Sequence, residues 1–337
     1  MNVKVVKENN SSKSNDFLHT LINWAALLAL ILSFLLFSLL RGQAFLSGDN
    51  MINILRAMSI NTVFGIALTI TMAPDGFDMS ACTLASCSAY VFVSAYLWFG
   101  LSLPMSIIVC LVVTLIMYQL TMFMILVCKI PDMLATVALM FVHQGLGQWY
   151  IGGGAVSTGM KTSWGAEPAR VMLEDSFSAL GRAPIIIIIM FVCVIAAHVF
   201  LNYTKQGRYL YAIGGNKQAA QLSGINVKKY RYMAGMITAV FIAIGAILVA
   251  SRSSSAQVMG ADNYFMPSLA AVFVGKTVGG IEKPNALGTM LGAALVSTLE
   301  NGLTIMAVPF YVLPAVKGAV LALALIASYS LKEESYN

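Results

Sequence analysis

Long apolar runs, each near the length of one membrane crossing and separated by short polar segments, dominate this sequence. A helix needs about 20 mainly apolar residues to cross a hydrocarbon layer of roughly 30 Å. The pattern predicts an all-α, polytopic membrane helix bundle of about ten transmembrane helices. The predicted spans lie near residues 21–40, 52–73, 79–98, 104–128, 131–150, 184–201, 232–251, 266–280, 285–307 and 310–331.

The composition argues against a soluble domain of any size. Hydrophobic residues make up 59% of the 337 residues and charged residues only 10%, with a mean hydropathy of +0.82. Soluble domains average about 25% charged residues. We therefore expect one transmembrane domain over residues 21–331, with a cytoplasmic tail at 1–20 and another at 332–337. The first run is long enough to be a retained helix rather than a signal-peptide core.

Lysine and arginine are unevenly divided between the two sides of the predicted bundle. If both termini are inside, thirteen of these residues fall in cytoplasmic segments and five on the opposite side. Cytoplasmic loops of membrane proteins carry such an excess, so the sequence predicts an N-in, C-in orientation. Because the basic residues are spread over short loops, the predicted partner surface is the lipid bilayer, and no nucleic-acid partner is indicated.

Residues 202–231 combine positive charge with the signals of a short helix. The stretch carries six basic residues and no acidic one. Asn216 is suited to an N-cap, the following KQAAQLS to a helix interior, and Gly224 to the C′ stop. Such a helix, about seven residues or roughly 10 Å long, is unstable by itself in water. We therefore expect it to dock against a partner.

The chain lacks the patterns that would indicate catalysis, a metal site or a bound cofactor. It has no HExxH and no CxxC motif. Residues 154–162 nearly spell a phosphate-binding loop, but Met160 separates Gly159 from Lys161, which must follow the glycine directly to reach a phosphate. We predict no catalytic residue, no metal and no cofactor in this chain. Any ATP would be bound by a partner subunit.

Polar residues inside predicted spans are candidates for function, because burying them in a bilayer is costly. His143 and Gln144, toward the outer end of the fifth run, and Glu300 and Asn301 in the ninth are candidate translocation-pathway residues. The alternative for each is a structural contact between helices.

Two further ionisable residues are interpreted mainly as structural. Asp78 lies at a junction of spans, where capping a helix is at least as plausible as contacting a solute. Lys317 lies two turns into the tenth run and could pair with Glu300 across a helix–helix junction.

Several stretches resemble one transporter family. GRYLYAIGGNKQAAQLSGINVKKYR resembles the cytoplasmic coupling segment of permease subunits in ribose/simple-sugar ABC importers. NILRAMSINTVFGIALTI, KIPDMLATVALM and SRSSSAQVMGADNYFMPSLAAVFVGKT extend the resemblance over roughly residues 50–330. Two places depart from the family pattern. Gly76-Phe-Asp-Met-Ser-Ala-Cys82 replaces Gly-Ile-Asp-Leu-Ser-Val-Gly, and Ile281-Glu-Lys-Pro284 replaces a Gly-Gly-Lys-Gly turn.

The resemblance implies the permease of an ABC importer in a bacterial inner (plasma) membrane, translocating a sugar or related small polar solute. It implies three kinds of partner: a second permease copy in a homo- or heterodimer, two cytoplasmic ATPase domains, and an extracytoplasmic solute-binding protein. The ATPase-coupling residues would then be Asn216, Ala219, Ala220 and Gly224.

Two alternatives are an ion-coupled secondary transporter of a small polar solute and a non-transport scaffold or receptor. The scarcity of intramembrane acidic residues disfavours the first, and the lack of a soluble signalling domain disfavours the second.

Overall fold

The computed structural model describes residues 24, 26–161, 173–278, 283–309, 311–316, 318, 319 and 322. Over these residues the chain is helical, apart from turns and an isolated β-bridge between Val156 and Ala256. A 3₁₀ turn, Asp262–Tyr264, precedes α11. The helices are α1 (Ala26–Leu46), α2 (Gly48–Met72), α3 (Ala81–Leu97), α4 (Leu103–Leu126), α5 (Asp132–Tyr150), α6 (Asp175–Ala179), α7 (Ile185–Tyr203), α8 (Lys205–Gly215), α9 (Lys217–Leu222), α10 (Val227–Ser253), α11 (Phe265–Thr277) and α12 (Ala286–Ile305).

Within the described part of the chain, helices occupy the first nine predicted spans, although α11 in the eighth is short. By length and composition, α1, α2, α4, α7 and α10 are each able to cross a membrane. The ninth run, which the sequence shows interrupted by Glu300 and Asn301, forms α12 without a break. Most of the tenth predicted span, 310–331, lies outside the described residues, as do both predicted tails.

Helix α4 shows why the bundle belongs in a membrane. Apart from Gln119, its exposed large residues are apolar and recur every three or four positions, whereas its inward face carries hydroxyl groups such as those of Thr114 and Tyr118. A helix on the surface of a soluble protein has the reverse arrangement. The outer face of α4 therefore contacts lipid. That face consists of Met105, Ile108, Val112, Ile116, Leu120 and Phe123.

Helix α2 lies at the centre of the bundle and packs against α7, α10, α11 and α12. Every residue from Met58 to Ile70 is buried. Its polar side chains bond across helix interfaces: the Asn61 amide donates to Ser297 Oγ at 3.0 Å, and the Thr69 and Thr289 hydroxyls lie 2.7 Å apart. Such bonds hold helices together where the surrounding lipid provides no hydrophobic driving force.

Helices α11 and α12 approach each other closely through residues without bulky side chains. A Cβ atom on Gly275 would overlap the backbone of Gly288, and one on Gly292 would overlap the backbone of Ala271. Backbones this close need glycine on the facing surface. Helix α11 ends at Thr277, where GKTVGG predicts a break, and its 13 residues span only about 20 Å. It is too short to cross the membrane alone.

Candidate functional site

The segment between α7 and α10, residues 204–226, forms two short helices; we call it the coupling segment. Thr204 caps α8 through a bond from Gly207 N at 3.0 Å, and Asn216 caps α9 through a bond from Ala219 N at 2.9 Å. Helix α9 therefore forms with the N-cap that the sequence predicts. Helix α8 was missed, although Thr204 followed by buried Gly207, Leu210 and Ile213 at intervals of three provides its signal.

Helix α9 also ends where the sequence predicts, before Gly224. Gly224 has φ +81°, a left-handed conformation that favours glycine. Its N–H donates to Gln221 O, and Ile225 N donates to Ala220 O, both at 3.0 Å. Asn226 then caps α10, accepting from Lys229 N at 3.0 Å. The chain thus leaves one helix and enters the next within four residues.

The two faces of α9 differ. Ala220 is only 5% exposed and packs with Ile213 and Val227. Ala219 is exposed, and Leu222 is 91% exposed although its side chain is large and apolar. Of the four predicted coupling residues, Ala220 therefore fixes α9 to its own chain, whereas Ala219 faces outward. The exposure of Leu222 could not be deduced from the sequence of a six-residue helix alone.

Three contacts tie the coupling segment and the start of α10 to the transmembrane helices. Gly214 lies against the Ala73 carbonyl at the end of α2, where no Cβ would fit. The Tyr211 hydroxyl donates to Pro284 O, just before α12, at 2.7 Å. Burial raises the pKa of Tyr211 to about 12, so this donor stays protonated at physiological pH.

The third contact is an ion pair. Arg231, in the first turn of α10, pairs with Asp132 at the start of α5. Both side chains are largely buried, at 16% and 18% exposure, so the pair is screened less than one at the surface. Helix α8 and the start of α10, which flank α9, therefore contact the end of α2, the start of α5 and the residue before α12 directly.

Asp78 is buried at the turn before α3, on this same side of the bundle. Its Oδ1 accepts from Ser80 N at 2.8 Å and Ser80 Oγ at 2.7 Å, and its Oδ2 accepts from the Tyr118 hydroxyl at 2.9 Å. These bonds fix the turn and join it to α4. They favour the structural interpretation of Asp78. Lys317, the other predicted structural ionisable residue, lies outside the described side chains.

At its far end, α10 leads into an irregular stretch, residues 254–264, which we call the mid-depth segment. Ala261 N donates to Ser86 Oγ at 3.0 Å, Ser86 Oγ donates to Asp262 Oδ1 at 2.6 Å, and Met259 N donates to the Tyr90 hydroxyl at 2.8 Å. All three bonds connect the mid-depth segment to α3. The segment is therefore held by residues far away in the sequence.

The depth of this segment follows from helix geometry. Met79 N, just before α3, donates to Thr136 Oγ1, one turn into α5, at 3.2 Å. Ser86 lies a further turn and a half along α3. At 1.5 Å per residue, Ser86, and with it Ala261, stands about 15 Å above the start of α5, near the middle of a hydrocarbon layer of roughly 30 Å. The start of the segment lies nearer the outer face, because Ala256 bonds to Val156 beyond the end of α5. Irregular backbone at the depth of Ala261 occurs only where protein buries it or where it lines a water-filled cavity.

A cavity of about 270 Å³ adjoins the mid-depth segment. On one side the loop after α5 closes over it, since Val156 and Ala256 exchange two backbone hydrogen bonds of 2.8 and 2.9 Å. Tyr264 contributes an aromatic surface and lies 5.9 Å from Phe64, centroid to centroid. The polar residues on the cavity wall are Ser86, Arg252, Ser253, Ser255, Gln257 and Tyr264.

The structure does not gather the four predicted pathway residues at one place. His143 is 1% exposed, and neither of its ring nitrogens has a hydrogen-bond partner among the described residues. Gln144 Nε2 contacts Met259 Sδ at 3.2 Å and so touches the mid-depth segment. On α12, Asn301 Nδ2 donates to Asn50 Oδ1 at 2.8 Å, an interhelical contact with α2. Glu300 precedes it on the same helix.

The cavity-lining residues were missed by the sequence analysis. Gln257 and Tyr264 belong to the stretch SRSSSAQVMGADNYFMPSLAAVFVGKT, which was interpreted only as a family resemblance. A possible signal was the length of α11, because unusually short hydrophobic segments often mark a binding site in transporters.

Comparison with known proteins places the chain among permeases. Residues 50–329 match the family model described as "Branched-chain amino acid transport system / permease component". The ribose import permease protein RbsC of Haemophilus influenzae is 29% identical over 316 residues, covering 91% of this chain and 93% of the relative. RbsC of Escherichia coli K12 is 28% identical over 287 residues, covering 84% and 86%.

A third relative is named for another sugar. The xylose transport system permease protein XylH of H. influenzae is 25% identical over 362 aligned positions, covering 91% of this chain and 95% of the relative. No solved structure matches the chain. The family match covers most of the helical bundle described above. The chain is a multi-pass membrane transport component and belongs to this family of transport-system permeases.

Proposed function

We propose that this chain is the permease of an ATP-driven importer for a monosaccharide or related small polar solute in a bacterial inner membrane. It spans the membrane about ten times with both termini in the cytoplasm, and a second permease copy completes the pathway. Two cytoplasmic ATPase domains bind and hydrolyse ATP, and an extracytoplasmic binding protein delivers the solute. The relatives named for ribose and xylose import support the solute class.

The coupling segment carries this proposal. Helix α9 presents Ala219 and Leu222 to solvent, while Asn216 and Gly224 fix its two ends. This short, capped helix packs against the bundle on one face and is exposed on the other. Such a helix is suited to docking into a cleft of another subunit. Leu222 would enter the ATPase surface, where burying it removes apolar area from water.

The coupling segment also offers a route for movement. When ATP closes the ATPase pair, displacement of α9 passes through Gly214 to α2, through Tyr211 to the start of α12, and through Arg231 to α5. Rigid elements joined in this way allow a change at one site to reorganise another. His143, Gln144, Glu300 and Asn301 stay in this proposal as pathway residues of α5 and α12.

The experiment is transport by purified components. The chain is co-purified with its genetic neighbours, reconstituted in vesicles, and tested for uptake of radiolabelled D-ribose and D-xylose. We expect an ATPase subunit to accompany the chain, and uptake to require both ATP and the binding protein. Uptake that persists without ATP hydrolysis, or that follows an ion gradient, would instead establish the secondary-transporter alternative.

The topology has its own test. Lys217→Cys should react with a membrane-impermeant thiol reagent only from the cytoplasmic side. Lys161→Cys, in the loop after α5, should react only from outside. Labelling of both positions from one side would refute the proposed orientation.

A further inference from the structure

The outer half of the bundle contains a polar cavity that the coupling segment does not explain. The mid-depth segment brings irregular backbone to about half the thickness of the membrane, where lipid would leave its polar groups unsatisfied. Contacts with Ser86 and Tyr90 satisfy two of its N–H groups. On its other side lies the cavity of about 270 Å³. Backbone of this kind beside such a space indicates a water-accessible compartment.

The lining of the cavity has a specific chemistry. Gln257 and Arg252 are exposed to it, and among the described residues neither side chain makes a hydrogen bond or an ion pair. The amide and the guanidinium offer several donors, and the amide oxygen is an acceptor. Tyr264 adds an aromatic ring and a hydroxyl group. Hydrogen-bonding groups around one aromatic surface complement a molecule that carries hydroxyls on a compact carbon ring.

Size and charge narrow the ligand class further. A cavity of about 270 Å³ has room for a solute of the size of one monosaccharide. Within the described residues, no group of three or more His, Cys, Asp or Glu side chains could hold a metal ion. Arg252 on the wall disfavours a cationic solute.

We propose that this cavity binds one neutral monosaccharide within a single permease chain, with Gln257 and Arg252 bonding to its hydroxyls and Tyr264 packing on its ring. The inference rests on the proposed importer function and adds to it a site where the solute pauses inside the membrane. Gln144, which touches the segment at Met259, lies beside this site and not in it.

Cysteine protection in the complete transporter tests the proposal. Ser255→Cys places a thiol on the cavity wall, in a background where Cys128, the exposed native cysteine among the described residues, is replaced by serine. The reaction rate with a small methanethiosulfonate reagent is measured in nanodiscs without the binding protein, with D-ribose, D-xylose or D-galactose added. We expect at least one sugar to slow the reaction saturably. Uncharged glycerol at the same concentration should not.

The lining variants then locate the bound sugar. Gln257→Ala and Tyr264→Ala should each raise the half-protecting sugar concentration roughly five- to tenfold, as expected when one or two hydrogen bonds or a stacking contact is lost. Gln43→Ala, at an exposed glutamine on α1, should leave it unchanged. Protection that survives both lining substitutions would overturn the proposal by placing the sugar elsewhere.

The same preparations separate this inference from the importer proposal. ATP-dependent uptake without protection by any of the three sugars would overturn the cavity site and leave the importer function intact. Saturable protection that is sensitive to Gln257→Ala, without ATP-dependent uptake, would support the site and refute the importer function.

Discussion

The segments at the two ends of α10 differ in how far apart in the sequence their bonded residues lie. At one end, residues close in the sequence cap the helix of the coupling segment: Asn216 accepts a bond from a residue three positions later, and Gly224 ends the same helix. At the other end, the mid-depth segment is held by bonds that span 169 and 175 positions, from Met259 to Tyr90 and from Ala261 to Ser86. The first is specified locally and the second by the assembled bundle.

This difference separates two functions. The proposed coupling segment must present one stable face to another subunit, and the local caps at Asn216 and Gly224 fix the two ends of α9. The cavity must change with the arrangement of the helices, and long-range bonds to α3 make its shape depend on that arrangement. Four substitutions test the contrast, beginning with the largest expected effect.

Ala220→Trp should abolish ATP-dependent uptake while leaving membrane insertion intact. Ala220 is 5% exposed against Ile213 and Val227, so a large side chain must displace α9 from the bundle. Uptake in vesicles and solute-stimulated ATPase activity are the measurements. The matched control is Ala212→Trp, at an exposed position on α8, which should transport normally. Normal uptake by Ala220→Trp would show that the ATPase docks elsewhere.

Asp132→Asn should weaken coupling by breaking a long-range tie to the start of α10. A hydrogen-bonded charge contact that is largely buried contributes about 1.5–3 kcal/mol. Thermal unfolding of the purified complex measures the loss, and the ratio of ATP hydrolysed to sugar transported measures the uncoupling. The double variant with Arg231→Gln should lose much less unfolding free energy than the sum of the two single losses, because each single change already breaks the same ion pair. Additive effects would mean that the two residues act independently.

Ser86→Ala should destabilise the chain by about 1–3 kcal/mol, because the buried Ala261 N–H loses its acceptor. The unfolding midpoint measures the effect. Ser253→Ala, at an exposed serine near the end of α10, should change stability by no more than about 0.5 kcal/mol. Equal midpoints for the two variants would contradict the long-range anchoring of the mid-depth segment.

Gly224→Ala should cost about 1 kcal/mol through backbone conformation alone. Gly224 has φ +81° and open space where a Cβ would lie. The added methyl group would therefore strain the left-handed backbone without touching any neighbouring atom. Gly215→Ala has equally open space without a positive φ, and should be neutral or slightly stabilising. Comparing the two unfolding midpoints isolates the left-handed conformation. A destabilised Gly215→Ala would indicate that space, not backbone geometry, limits the segment.

The same contrast explains what could be predicted from the sequence. Helix content and the existence of α9 were accessible, since apolar run length and capping residues act over a few neighbouring positions. The inward orientation of Ala220 depends on Ile213 and Val227 packing together after the turn, and no local pattern expresses it. The cavity was inaccessible for the same reason, because Ser86 and Gln257 become neighbours only when the bundle is assembled. His143 drew attention as a polar group in an apolar run, and its burial to 1% exposure depends on the assembled helices.

The glycine contacts between α11 and α12 have a consequence for how a family of such transporters could diverge. With Gly275 facing Gly288, and Gly292 facing Ala271, little side-chain volume is left to absorb a shift between the two helices. Tyr264 stands directly before α11, so its ring follows any tilt of the pair. Mutations on the far surface of α12 would then re-aim Tyr264 without altering a residue on the cavity wall. Solute preference would then depend on the tilt of α11 and α12 as well as on the residues of the cavity wall. Two permeases with identical linings could therefore favour different sugars.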